Sequence, residues 1–139
     1  MIRWRLTLAL ALLALLILGA ASAENRALLI GCDHFLSQQD TWPASSNNVR
    51  QMATALAGGA ESFVRFETVP GGVGSTEELG SWIAQAFGDA GEDDVSYLYI
   101  STHGLWDQEQ PEEDFCLLLS DGQTEERCSA RQLRALLEA

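Results

Sequence analysis

Hydrophobic positions along this chain switch between two rhythms, and the switches delimit its elements. Residues 26–32, Arg-Ala-Leu-Leu-Ile-Gly-Cys, are a short apolar run ending near glycine, which predicts a first strand. Residues 33–45 hold Asp40, Pro43 and two serines and read as a loop. Over residues 46–57, Val49, Met52, Ala53 and Leu56 recur at helical spacing, with Ser46 or Asn47 as cap and Gly58-Gly59 as stop. Residues 62–69 interleave Phe63 and Phe66 with Arg65 and Glu67, predicting a second strand near a sheet edge. The loop Pro70-Gly71-Gly72-Val73-Gly74 is glycine-rich, but it has neither G-x-G-x-x-G spacing nor a Lys-Ser/Thr pair, so a phosphate cradle is rejected. Ser75 and Glu78 have capping-box spacing and open a helix through Leu79, Trp82, Ile83, Ala86 and Phe87. Residues 88–94 turn the chain into a third strand, 95–102, whose run 95–100 is apolar on both faces, as in a buried parallel strand.

Downstream, residues 106–114 form an acidic loop containing Pro111. Residues 115–120 (Phe-Cys-Leu-Leu-Leu-Ser) predict another short strand, in a hairpin beside the main sheet, and Asp121-Gly122 a turn. Ser129 caps a last helix that places Leu133, Leu136 and Leu137 on one face. The order β-α-β-α-β-(β)-α, without repeat or linker, predicts a three-layer α-β-α fold with a mostly parallel sheet. A final helix in such a fold normally leads to a further strand, so residues 24–139 are expected to be the front part of a larger domain.

The first 23 residues are read apart from the fold. Arg3 and Arg5 precede an apolar stretch at 6–18, and Ala21-Ser22-Ala23 is a small-residue cleavage pattern, together a secretory signal peptide. The alternative is an uncleaved membrane anchor, for which the run is short against the about 20 residues of a full span. Secreted or extracytoplasmic residence is expected, with membrane attachment if the segment is retained. The formal charge is −12, and losing Arg3 and Arg5 takes it to −14; all eight basic residues are arginine. Such a surface repels nucleic acid and anionic membrane; its plain reading is solubility outside the cytoplasm, with attraction for basic peptides or calcium as the sharper alternative. The acidic run Glu109, Glu112, Glu113 and Asp114 reads as a solvated loop, with calcium binding as the sharper alternative; otherwise no cofactor is expected. Three cysteines, Cys32, Cys116 and Cys128, are an odd number for an exported chain; Cys116 and Cys128 flank a turn-rich segment and are placed to pair, leaving Cys32 as a thiol.

The tetrad Ser101-Thr102-His103-Gly104 closes the third strand. A histidine there puts an imidazole on the carboxyl rim of the sheet, where ligands of open α/β folds collect, and the following glycine allows close backbone approach. With the tetrad placed, residues 26–33 resemble the first strand of caspase-like cysteine peptidases, an apolar run closed by Gly-x-Asp. Residues 45–52 are similar to the start of that family's first helix, residues 97–104 to its His-Gly strand, and residues 117–122 with 129–137 to the hairpin and helix before its nucleophile strand. The four matches come in family order and cover nearly all of residues 26–139. The resemblance implies a bacterial member of that clan, hydrolysing peptide or protein substrates with a Cys-His dyad. It assigns general acid/base work to His103 and an oxyanion-hole N–H to Gly104, and it places Asp33 where a pocket acid would meet a basic substrate side chain. The family's cysteine lies at the end of the next parallel strand, and no residue of this chain matches it, so the nucleophile is expected beyond Ala139 and no metal is required.

Other readings of the same residues stay open. Cys32 and His103 both fall near the carboxyl edge, where a Cys-His pair is physically possible, against the plainer role of a packed small residue. His34 shares that rim, but zinc spacing such as C-x-x-C is absent. Trp82 reads as helical core, whereas Trp42 and Trp106 are placed to line a cleft. The alternative function is a non-catalytic caspase-like module for peptide binding or assembly. An α/β-hydrolase would need a G-x-S-x-G elbow, and there is none.

Overall fold

A computed structural model describes residues 23–37, 44–106 and 115–139. The signal-peptide reading, Trp42 and the Glu109–Asp114 acidic run lie outside the described residues, apart from Ala23. The elements, in order, are β1 (Asn25–Gly31), α1 (Ala44–Ala57), β2 (Phe63–Val69), α2 (Thr76–Phe87), β3 (Val95–Ser101), β4 (His103–Trp106), β5 (Phe115–Ser120), β6 (Glu125–Ser129) and α3 (Ala130–Leu137).

The protein is α/β, with two three-stranded sheets. The first, in the order β2-β1-β3, is parallel throughout; the second, β4-β5-β6, is antiparallel. The mostly parallel sheet expected from the pattern is thus half the strand structure. The sequence pattern assigns no strand to β4 or β6, and the two complete the second sheet around β5.

β1 is central to the parallel sheet and covered on both faces, with Ala27, Leu28, Leu29 and Ile30 all fully buried. Strand side chains alternate between faces, which divides the set in two. Leu28 and Ile30 enter the main core with Leu79, Ile83 and Ala86 of α2, and Gly31, on the other face, lies against Ser45 and Val49 of α1. Helices therefore flank β1 on both sides, the arrangement parallel crossovers require. β2, with Arg65 and Glu67, occupies one edge, as its charged pattern predicts; Arg65 reaches over to Asp89 at 3.0 Å. β3 forms the other edge among the described residues; it carries no charged side chain, but the run expected to be buried on both faces is half-exposed because only β1 pairs with it.

The helix starts are built from other elements. Ser75 caps α2 by accepting from the Glu78 N–H at 3.1 Å, and the Glu78 carboxylate turns to the Gly74 N–H at 2.8 Å rather than closing the box on Ser75. Glu126 of β6 adds contacts to the Thr76 N–H and hydroxyl at 3.1 and 2.7 Å. A carboxylate at this end also favours the helix dipole. α3 opens on a full capping box between Ser129 and Gln132. No described helix is long and apolar enough to cross a membrane.

Candidate functional site

The carboxyl end of the parallel sheet is where β1 and β3 finish together. Gly31 pairs with Ser101, and the Cys32 N–H extends the ladder by donating to the Ser101 carbonyl at 3.0 Å. The chain bends at Thr102, whose hydroxyl donates to the Leu118 carbonyl, and then enters the antiparallel sheet as β4. His103 is consequently the first residue of a strand paired with Leu118, not the last of β3. Its imidazole is nonetheless exposed, at the seam between the two sheets.

One ring packs against it. The Phe35 and His103 centroids are 4.5 Å apart, with the planes inclined at 50°. Phe35 itself belongs to the core and is 7% exposed. Gly104 follows, opposite Leu117, and its lack of a side chain is used: a β-carbon there would fall 2.6 and 2.9 Å from ring atoms of Phe115. On α1, Asn48 donates to the Ser101 hydroxyl at 3.1 Å, tying the helix to the start of the tetrad.

Asp33 is near this seam in the chain but not open to it. It is 4% exposed, and its two oxygens accept from the Ser45 and Ser46 N–H groups at 2.7 and 3.0 Å, with the Ser46 hydroxyl added. The carboxylate expected to greet a basic substrate side chain instead caps the start of α1. A capping carboxylate serves donors that the helix leaves without partners, which explains its burial. It also displaces Ser46 and Asn47 from the capping role that their sequence position suggested, since the helix begins at Ala44.

The cysteines do not supply a nucleophile at the seam. Cys32 is fully buried, closed over by Gly72, where a β-carbon would come within 3.2 Å of the Cys32 sulfur. Cys116 and Cys128 are also buried, and no disulfide joins them. Cys116 stands opposite Ser129 while Cys128 stands opposite Leu117, a one-residue offset that sends the two side chains to opposite faces of the hairpin. That offset, invisible in their spacing, removes the pairing expected from sequence. Burial pushes the Cys128 thiol up, away from the reactive thiolate.

The loop after β1 is fastened at several points that the sequence did not disclose. The Ser120 hydroxyl donates to the His34 carbonyl, and the Leu36 and Ser37 N–H groups donate to one Glu125 oxygen at 2.6 and 3.2 Å. Burial raises the Glu125 carboxyl, but the hydrogen bonds from Ser37 and Leu36 outweigh it and hold the group below its ordinary value. Only the polar end of an apolar strand (Ser120) and an acid in a turn-rich segment (Glu125) hinted at these roles. His34 is exposed beside Gly122, and no group of three metal-ligating side chains occurs among the described residues. Trp106 is 67% exposed and paired across the hairpin with Phe115, at the end of β4 away from His103. No protein-family model, no curated protein and no solved structure matches this chain.

Proposed function

We propose that this chain carries the acid/base half of a caspase-like cysteine endopeptidase, with His103 as the proton-transfer group. The observation that supports it most is the exposed His103 imidazole at the carboxyl end of β3, beside a strand edge that is uncharged and has no partner among the described residues. A thiolate brought there on a parallel strand would attack a peptide carbonyl, and the leaving amine would need a proton from a group in His103's position. Gly104, without a side chain and next to the imidazole, is the oxyanion donor in this reading. In this reading the attacking thiol is none of Cys32, Cys116 and Cys128, which are all buried. The substrate is a peptide or protein, the compartment extracytoplasmic, and no metal takes part.

The protein as encoded by its gene should hydrolyse fluorogenic peptides, and thiol alkylation should abolish the activity. His103→Ala should lower kcat/KM by about a hundredfold or more, the usual scale of a general acid–base contribution. Unchanged turnover in that variant would remove the assignment. A second reading draws on the β3 edge, whose Val95-Ser96-Tyr97-Leu98-Tyr99-Ile100-Ser101 run offers backbone groups without a charged gatekeeper. In that reading the module binds an extended peptide by strand addition, and the same peptides are retained intact.

A further inference from the structure

We propose that Phe35 is a positioning residue for the His103 imidazole, setting the direction in which its nitrogens face. The inference rests on the reading of His103 as the acid/base group and names the device that orients it. An exposed histidine at the start of a strand has several staggered rotamers open to it. Here one face of the ring is occupied by Phe35, at 4.5 Å between centroids and 50° between planes. A tilted aromatic contact is directional, whereas an aliphatic side chain of similar bulk would touch the ring without favouring one inclination.

Phe35 can orient another ring only if it is itself fixed, and the surrounding contacts fix it. The ring sits in the core with Cys32, Val73 and Leu118. Its backbone neighbours are tied down on both sides. Asp33 holds the first turn of α1, and the His34 carbonyl takes the Ser120 hydroxyl. Leu36 and Ser37 share the Glu125 carboxylate. These ties come from α1, β5 and β6, so the loop cannot shift without breaking bonds to three elements. Below Phe35 is packed core and above it is the exposed imidazole, so the phenylalanine transmits the rigidity of one to the other. Proton transfer is sensitive to such placement, since small displacements of a positioned group cost large factors in rate.

The test compares Phe35→Leu with Phe35→Tyr in the full chain. Side-chain couplings of His103 are read by NMR, with His34→Gln separating the two imidazole signals. In the parent protein and Phe35→Tyr, His103 should show one dominant rotamer. In Phe35→Leu the couplings should average while the amide spectrum of β1, β3 and β5 is kept. In peptide hydrolysis, Phe35→Leu should lower kcat about tenfold at unchanged KM, and Phe35→Tyr should restore most of it. Should Phe35→Leu fail to fold, Phe35→Met gives the same comparison. Unaltered His103 couplings in the aliphatic variant would overturn the proposal, as would equal kcat losses in the Leu and Tyr variants. If no variant, nor the parent, cleaves peptides, the peptidase reading fails, while the couplings still decide the role of Phe35.

Discussion

Gly72 sits where a side chain has no room. Its φ is +82°, and a β-carbon would lie 2.1 Å from the Ser120 carbonyl oxygen and 3.2 Å from the Cys32 sulfur. The loop between β2 and α2 therefore presses its backbone onto the ends of β1 and β5, and this closure is what buries Cys32. Positive φ in a residue with a β-carbon already costs about 1–3 kcal/mol, and the collision with a carbonyl adds to it. Gly72→Ala should accordingly lose at least about 2 kcal/mol, read as a lower urea midpoint at unchanged slope. In sequence, Gly72 was one glycine in a run, and the run could be recognised only as a loop. Which glycine was indispensable depended on Ser120, 48 positions further on. Asp33 teaches the same lesson in reverse: its position after β1 suggested a binding role, and a long-range contact with the start of α1 gave it a structural one.

At the scale of elements, strong apolar periodicity and cap chemistry were sufficient for β1, β2, β3, β5 and all three helices. β4 and β6 were not visible. β4 is four residues long, too short to show an alternation, and β6 reads Glu-Glu-Arg-Cys-Ser, a sequence with little intrinsic preference for a strand. Both exist because β5 lies between them and pairs on each side. The end of β6 is also the start of α3: Ser129 accepts from the Gln132 N–H at 3.2 Å, and Gln132 reaches back to the Ser129 N–H at 2.8 Å. Ser129→Ala opens this box and should destabilise the protein by about 1 kcal/mol. Thermal unfolding followed at helical wavelengths measures it, and Ser129→Thr or Ser129→Asp should recover most of the loss.

Over the whole molecule, the two ends of the parallel sheet differ in chemistry. The seam with His103 lies at the carboxyl end. The amino end is a charge cluster around Arg26, which is 4% exposed and pairs with Glu24 at 2.9 Å, Asp94 at 2.6 Å and Asp89 at 3.4 Å. N–H groups of Gly91 and Glu24 hold the Asp94 carboxyl below its usual range, helped by Arg26 and opposed by burial. Asp89 suffers the cost of burial first, yet Arg65 and Arg26 bring it below the usual range as well. Groups lowered on folding release protons more readily in the native state than in the unfolded one. Their stabilisation is complete above the unfolded carboxylate value of about 4, and it is lost as pH falls through the native values. Stability should thus be level between about pH 5 and 7 and fall below about pH 4. Asp94→Asn should lower stability at neutral pH and flatten the acid limb, as measured by urea unfolding across that range; an acid limb as steep as the parent's would remove Asp94 from this role.

The sequence alone determined the α/β class, the order of the main elements, the charged edge at β2, the caps at Ser75 and Ser129 and the placing of the His103 tetrad at the end of β3. These depend on neighbours three or four residues apart, or on alternation within one strand, and such rhythms survive without knowledge of the fold. Only the tertiary structure decided that Asp33 faces inward, that Cys116 and Cys128 point to opposite faces, that Cys32 is enclosed by Gly72, and that His103 rests on Phe35. Each of these is set by contacts between segments far apart in the chain, where register and loop closure, not local pattern, choose which side chains meet.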